Sequence, residues 1–219
     1  MKICKICNKS KEKIEFGKNK QRLDEINVYC NKCRHDKYLL RKEKIIKFNT
    51  IKRQLLAKQI DELKQNPCFD CNETFSPFCM DFDHIKGKKI LAISKMIHEN
   101  YSYKNILKEI KKCQLVCVLC HKIRTYKRLQ KKPNKYTNSY LRNITIMNEA
   151  KSCPCVICKK NFHFSQMEFD HLKNKKTSVA LLIGCSEINI KNEIAKCQIL
   201  CALCHRIKTF KELNYKKYN

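Results

Sequence analysis

Acidic residues are scarce in this chain of 219 residues, which has 20 Asp and Glu against 48 Lys and Arg and a formal net charge of +28. With so few carboxylates a strongly positive surface is unavoidable, and such a surface attracts polyanions. Nucleic acid, most of all DNA, is therefore the expected partner, ahead of an anionic membrane surface. No basic amphipathic segment carries the bulky aromatic face that favours membrane docking, so we expect no membrane partner.

Long apolar runs are also missing. No segment has the length and apolar character of a membrane span, and the N-terminus, Met1–Lys5, lacks the apolar stretch of a signal peptide. These absences predict an intracellular protein of a reducing compartment, cytoplasm or nucleus, that is not secreted. In such a compartment paired cysteines indicate metal sites rather than disulfides.

Cysteine, by contrast, is abundant, with 17 in the chain. Two C-x2-C pairs supply the four thiolates that structural zinc prefers, and the alternative is a set of buried free thiols. The spacing predicts three structural zinc sites, formed by Cys4, Cys7, Cys30 and Cys33; by Cys68, Cys71, Cys117 and Cys120; and by Cys155, Cys158, Cys201 and Cys204. Cys153 is close enough to Cys155 to be a rival ligand, whereas Cys113 and Cys197 are expected to pack in the core.

The chain contains an internal sequence repeat of two copies. The matching segments are Pro67–Cys71 with Pro154–Cys158, Phe82–His84 with Phe169–His171, and Cys113–His121 with Cys197–His205. Such small units usually need a metal or disulfide staple for stability. Because cysteines alone satisfy each zinc, the repeated Asp-His pair and the histidine after the last cysteine are spare. Their recurrence in register is hard to explain by turn or capping roles alone.

The predicted fold class is α+β, built from small zinc-stapled modules. In chain order we predict a zinc-ribbon-like module, a basic linking helix, repeat 1, a linker with a short helix, and repeat 2, at 1–34, 35–66, 67–131, 132–150 and 151–219. Each repeat should contain a short strand ending at Asp-His and a final helix that begins near its last cysteine pair. For the linking helix, a solvated face or a coiled-coil seam is as compatible with the pattern as nucleic-acid contact.

Both repeats resemble the zinc-bearing branch of the HNH endonucleases, which have the ββα-metal fold. The resemblance rests on Phe82–Ile85 with Leu115–Thr125, and on Phe169–Leu172 with Cys201–Thr209. The N-terminal segment resembles a cysteine-pair zinc ribbon often fused to such nucleases. The resemblance implies a hairpin and a helix around one catalytic cation, Mg²⁺ or Mn²⁺, with the zinc holding the frame. It implies metal-dependent hydrolysis of DNA phosphodiester bonds.

The resemblance also implies roles for single residues. General bases would be His84 and His171, and ligands of the catalytic cation would be Asp83, His121, Asp170 and His205. The basic loop residues Lys88, Lys89, Lys175 and Lys176 are expected near phosphates, although solvation explains any one of them equally well. Lys112 and Lys196 stand where the family has an asparagine that orients the base. This departure favours the alternative of a non-catalytic zinc protein that binds DNA or RNA, and an RNA-directed nuclease is a third possibility.

Overall fold

The structure, a computed structural model, describes residues 1–131 and 136–218, with side chains as far as residue 213. The predicted linker at 132–135 lies outside the described residues. Helices and four two-stranded antiparallel sheets make up the part described, so the α+β class is confirmed. The chain divides into a unit of Met1–Ala57 with Ile97–Asn100, and a unit of Lys58–Met96 with Tyr101–Asn219. No described helix combines the length and the apolar character that a bilayer crossing requires.

The N-terminal part contains two small hairpins and a long helix. Strand β1 (Lys2–Ile3) pairs with β2 (Ser10–Lys11), and β3 (Phe16–Lys18) pairs with β4 (Ile26–Cys30). Helix α1 (Asn31–Glu62) follows β4 directly, so it begins inside the second cysteine pair. Four of its apolar residues at three- and four-residue spacing, Ile45, Phe48, Ile51 and Leu55, are at least half exposed, whereas Leu56 and Ile60 are buried.

Repeat 1 is a hairpin followed by a helix, with two short helices inserted in the connection. A 3-10 turn (Pro77–Cys79) leads into β5 (Met80–His84), and then come α2 (Ile93–His98), α3 (Tyr103–Ile110), β6 (Cys113–Cys117) and α4 (Val118–Gln130). The antiparallel register pairs Met80 with Cys117 and His84 with Cys113. The strand therefore ends at Asp-His, and the last helix begins at the last cysteine pair, as predicted.

Repeat 2 follows the short helix α5 (Asn138–Ala150) and has the same plan. Its elements are a 3-10 turn (Phe164–Gln166), β7 (Met167–His171), a longer 3-10 segment (Val179–Gly184), α6 (Glu187–Ile194), β8 (Cys197–Cys201) and α7 (Ala202–Tyr218). Met167 pairs with Cys201 and His171 with Cys197, which is the register of repeat 1. The 3-10 segment replaces α2, so the copies differ most in the connection between their strands.

The two repeats share one compact unit and contact each other reciprocally. Helix α4 packs on the 3-10 turn of repeat 2, and α7 packs on the 3-10 turn of repeat 1. Phe78 stacks on Phe210 with ring centroids 4.1 Å apart, and Tyr126 meets Phe164 edge-on at 5.3 Å. Each repeat has a small buried core that includes cysteines of its predicted zinc site, for example Cys68 and Cys117 beside Met80. A metal staple suits cores of this size.

Candidate functional site

Three groups of four cysteines bring their sulfur atoms within 4.8 Å of one another. They are Cys4, Cys7, Cys30 and Cys33; Cys68, Cys71, Cys117 and Cys120; and Cys155, Cys158, Cys201 and Cys204. These are the sets that the spacing predicts, and four converging sulfurs are compatible with tetrahedral zinc. The first pair forms the same turn each time: the residue after it, Asn8, Asn72 or Lys159, has a φ of 54–59°.

The thiols of a group ionise unequally. Burial raises the pKa of the Cys68 thiol, but hydrogen bonds from the backbone N–H groups of Cys117 and Cys71 outweigh it and lower the pKa to about 7. Across the group, burial and the neighbouring sulfurs raise the pKa of Cys117 to about 11. The corresponding pKa values in repeat 2 are about 6 for Cys155 and about 11 for Cys201, from the same causes. Ionisation of all four thiols would therefore need a cation, and a bound Zn²⁺ would supply that charge.

The predicted bases are each held by a buried glutamate from the helix before the second strand. The Nε2 atom of His84 lies 2.9 Å from Oε1 of Glu109, and Nε2 of His171 lies 3.0 Å from Oε1 of Glu193. Burial raises the pKa of Glu109, but hydrogen bonds from the Lys112 ammonium, the Ile90 N–H and His84 lower it to about 2. The Lys196 ammonium is the main cause that lowers the pKa of Glu193 to about 2.

An ionised carboxylate only accepts hydrogen bonds, so Nε2 of each base must carry a proton. In the neutral imidazole the lone pair is then on Nδ1, the nitrogen left to accept a proton. Lys112 and Lys196 complete this arrangement. Lys112 Nζ lies 2.7 Å from Oε2 of Glu109, and Lys196 Nζ lies 2.6 Å from Oε2 of Glu193. The lysine thus braces the glutamate, and the glutamate orients the histidine.

The histidine after the last cysteine is oriented from the neighbouring strand. Nδ1 of His121 lies 2.9 Å from Oδ2 of Asp81, while its Nε2 lies 3.4 Å from Oδ1 of Asp83. Burial raises the pKa of Asp81, but hydrogen bonds from His121 and Arg206 outweigh it and lower the pKa to about 2. Asp81 is therefore ionised and can only accept, so Nδ1 of His121 is the donor. The Nε2 lone pair therefore faces Asp83, which places two potential ligand atoms side by side.

Repeat 2 reproduces this pair of ligand atoms. Nδ1 of His205 is hydrogen-bonded to Oε2 of Glu168, and its Nε2 lies 3.6 Å from Oδ1 of Asp170. The hydrogen bond that His205 donates to Glu168 is the main cause that raises the pKa of His205. In both repeats the structure brings the aspartate of the predicted Asp-His pair beside the last histidine. The histidine of that pair lies at the end of the hairpin where it pairs with Cys113 or Cys197.

Cations already contact the predicted metal-ligand carboxylates. Oδ2 of Asp83 accepts hydrogen bonds from Arg124, at 3.1 Å, and from Arg128. Oδ2 of Asp170 accepts from Lys208 at 2.6 Å and from Gln198 at 2.7 Å. The other oxygen of each carboxylate, Oδ1, faces Nε2 of the histidine in the same repeat. A divalent cation at either site would compete with these donors.

The predicted phosphate-contacting lysines lie in the loops after the base histidines, with exposed side chains. The Lys176 backbone N–H donates to Oε1 of Glu193 at 3.1 Å, whereas the Lys88 carbonyl accepts a hydrogen bond from Lys112 Nζ at 2.9 Å. Of the cysteines outside the groups, Cys113 and Cys197 are partly buried, and each thiol contacts the backbone carbonyl of the base-orienting glutamate. Cys153 is exposed and belongs to no described group, so it does not replace Cys155.

The carboxylates that orient the last histidines also join the two repeats. Arg206 of repeat 2 binds Asp81 through both terminal nitrogens, at 2.9 and 2.8 Å. Lys122 of repeat 1, the counterpart of Arg206, forms an ion pair with Glu168, the counterpart of Asp81. Each acid therefore contacts the histidine of its own repeat and a cation of the other.

Sequence reasoning missed both kinds of orienting acid, Glu109 with Glu193 and Asp81 with Glu168. Each pair occupies equivalent positions in the repeats, 84 residues apart for the first pair and 87 for the second. Extending the repeat alignment beyond cysteine, histidine and Asp-His would have found them. Comparison of the chain with family models, with curated proteins and with solved structures finds no match.

Proposed function

We propose that this protein is a metal-dependent endonuclease that hydrolyses DNA phosphodiester bonds at two HNH-type centres. The observation that carries the proposal is the doubled arrangement of an Asp and two histidines, each histidine held by its own carboxylate. A protein that only binds nucleic acid has no use for a histidine whose lone pair is fixed in this way. Recurrence of the arrangement in two diverged copies supports selection for chemistry.

In this proposal His84 and His171 act as general bases. Nδ1 of the ring accepts the proton of the attacking water, and the positive charge that forms is stabilised by Glu109 or Glu193 on the opposite nitrogen. The carboxylate is already ionised and buried, so it needs no rearrangement when the ring becomes charged.

Asp83 with His121, and Asp170 with His205, would hold Mg²⁺ or Mn²⁺ through Oδ1 and Nε2. The separations of 3.4 and 3.6 Å between these atoms suit two neighbouring ligands of one ion, since each ligand lies roughly 2.1 Å from Mg²⁺. Such an ion stabilises the charge that grows on phosphate oxygens and on the leaving 3′ oxygen. Three further ions, Zn²⁺ in the cysteine groups, would hold the frame.

One observation favours a second candidate, a non-catalytic zinc protein that binds DNA or RNA. Asp83 is in contact with two arginines, and Arg124 is itself held by both oxygens of Asp70. A site used only for folding or for binding could keep its carboxylate neutralised in this manner. Such a protein would bind DNA with the same salt dependence and would leave it intact.

The deciding experiment is incubation of supercoiled plasmid with the purified protein and Mg²⁺ or Mn²⁺, with and without a chelator. If each centre cuts one strand, wild type should give nicked circles and then linear DNA, whereas His84→Ala and His171→Ala should each stop at nicked circles. The double variant should lose on the order of a hundred- to ten-thousandfold in rate. His35→Ala, at an exposed histidine of α1, is the matched control.

Loss of activity in only one single variant would assign binding alone to the other repeat. Intact plasmid in every reaction would support the non-catalytic candidate, and cleavage of RNA alone would replace DNA as the substrate. Full activity of the double variant would show that these histidines are not the bases.

A further inference from the structure

A cavity of about 610 Å³ lies beside the candidate centre of repeat 1, between α4, α5 and the 3-10 turn of repeat 2. Four aromatic rings line it: Tyr126, Tyr136, Tyr140 and Phe164. Tyr136 and Tyr140 stack on each other with centroids 4.2 Å apart, and Phe164 meets the edge of Tyr126. The volume is in the range of small-ligand sites, which are mostly apolar with a few polar groups.

The polar groups of this cavity point to a ligand with an anionic part. Lys151 and Lys122 both line it, and the Lys122 ammonium is already paired with Glu168. Lys151 is half-buried and forms no ion pair with any of the residues that the structure describes; its ammonium lies 4.9 Å from the centre of the Phe169 ring. Burial and the nearby Lys122 lower its pKa, so an anion beside Lys151 would relieve an unfavourable charge. Gln130 and Asn148 add amide donors and acceptors.

The cavity opens onto the candidate centre, because His121 and Asp81 form part of its wall. A molecule bound there lies next to the pair formed by His121 and Asp83. Aromatic rings for stacking, amides for hydrogen bonds and a half-buried cation are the groups that recognise a nucleotide. Base–aromatic stacking contributes roughly 1–3 kcal/mol per base, and any base provides the necessary face.

We propose that this cavity binds a single nucleotide turned out of the nucleic acid, with its base among the tyrosines and its phosphate at Lys151. The inference rests on the proposed function, since it places an unpaired nucleotide beside the bond that repeat 1 would cut. Repeat 1 would then prefer strands with an unstacked or bulged base, because extruding such a base costs least.

The cavity described beside the candidate centre of repeat 2 differs from this one. That cavity, beside His205 and Arg206, measures about 330 Å³. Two aromatic rings line it, Phe78 and Phe210, and its described lining includes no lysine and no amide side chain. The nucleotide site is therefore a property of repeat 1 and of helix α5, and it gives the two centres different substrate preferences.

The test compares binding of a fully paired duplex with a duplex of the same sequence that carries one bulged nucleotide. Zinc-loaded protein is titrated by fluorescence anisotropy without added Mg²⁺ or Mn²⁺, so no cleavage is needed. Wild type should prefer the bulged duplex by roughly five- to a hundredfold, as one stacking contact implies. Tyr140→Ala, Tyr136→Ala and Lys151→Gln should each reduce this preference, and Tyr140→Phe should keep it.

The matched controls are Tyr103→Ala and Lys104→Gln on the exposed side of α3, which should bind both duplexes as wild type does. Equal affinity of wild type for both duplexes would overturn the inference. An unchanged preference in Tyr136→Ala would overturn it too, because the Tyr136 side chain is exposed and its removal should not disturb folding. Displacement of the bulged duplex by millimolar deoxyadenosine monophosphate would show that the cavity takes free nucleotides instead. Plasmid cleavage without a preference for the bulged duplex would contradict the nucleotide-binding cavity but not the nuclease activity. A preference for the bulged duplex without plasmid cleavage would contradict the nuclease activity but not the cavity.

Discussion

The aspartate beside the predicted metal-ligand histidine contacts different residues in the two repeats. In repeat 1 two guanidinium groups, from Arg124 and Arg128, bind Asp83. In repeat 2 the equivalent positions hold Lys208, which binds Asp170, and Glu212, which contacts Lys208 instead. Ile157 replaces Asp70, the residue that braces Arg124. The two centres share one geometry but not one charge environment.

This difference shows which features of the repeat tolerate change. The cysteine groups, both histidines and both orienting acids are retained in the same contacts, whereas the cations around the metal-ligand carboxylate have diverged. Guanidinium groups bind carboxylates through planar, directed hydrogen bonds, and an ammonium is a more easily displaced point charge. We therefore expect repeat 2 to bind a divalent cation more tightly than repeat 1.

The largest effect should come from loss of one zinc ligand. Wild type should contain close to three zinc ions per chain by elemental analysis, and Cys68→Ser and Cys155→Ser should each lose one and unfold at lower temperature. Structural zinc contributes roughly 10–16 kcal/mol of apparent binding free energy, so no other substitution should weaken the fold as much. Cys113→Ser, outside the groups, should keep all three ions. A zinc content of one or less would contradict the modular fold.

Next in size should be the effect of the glutamates that orient the bases. Glu109→Gln and Glu193→Gln should each slow one of the two nicking steps by roughly ten- to a hundredfold, because an amide stabilises the charged ring less than a carboxylate does. The measurement is the single-turnover rate of plasmid nicking as a function of pH. Glu43→Gln, at an exposed position of α1, is the control. An unchanged rate and pH profile in both variants would reduce these glutamates to a structural role.

A smaller effect should separate the two divalent sites. Titration of wild type with Mn²⁺, followed by electron paramagnetic resonance, should show a tighter site that Asp170→Asn removes and a weaker one that Asp83→Asn removes. Arg128→Ala should tighten the weaker site about tenfold, the size expected from losing one charged hydrogen bond. Lys127→Ala removes the same charge from the same helix and should have little effect. Equal affinities in wild type would remove the distinction between the repeats.

The smallest effect concerns the ion pairs between the repeats. A double-mutant cycle of Asp81→Asn with Arg206→Gln, measured by urea unfolding, should give a coupling energy of about 0.5–1 kcal/mol, because the pair is partly exposed. The cycle of Glu168→Gln with Lys122→Gln should give less, since a lysine makes one contact where the arginine makes two. A larger coupling in the lysine pair would reverse this ranking.

Local motifs predicted the cysteine pairs, the strand that ends at Asp-His and the helix that begins at the last cysteine pair, because neighbouring residues encode each of them. The order of the cysteine pairs along the chain then predicted which pairs form one group. Glu109 and Asp81 could not be assigned in this way. Glu109 lies on a different element from His84, 25 residues along the chain, and only the folded hairpin brings them within 2.9 Å. The exposed apolar residues of α1, such as Phe48, show the converse: helical spacing predicts a helix but does not say whether its apolar side is covered.

The reciprocal packing of α4 and α7 has a kinetic consequence. Because both repeats belong to one polypeptide, their pairing does not depend on the concentration of the protein in the cell. The connecting chain holds each repeat near the other at an effective concentration on the order of millimolar. Two cuts by one molecule would therefore follow a rate that rises linearly with protein concentration, without the steeper dependence expected where two molecules must meet.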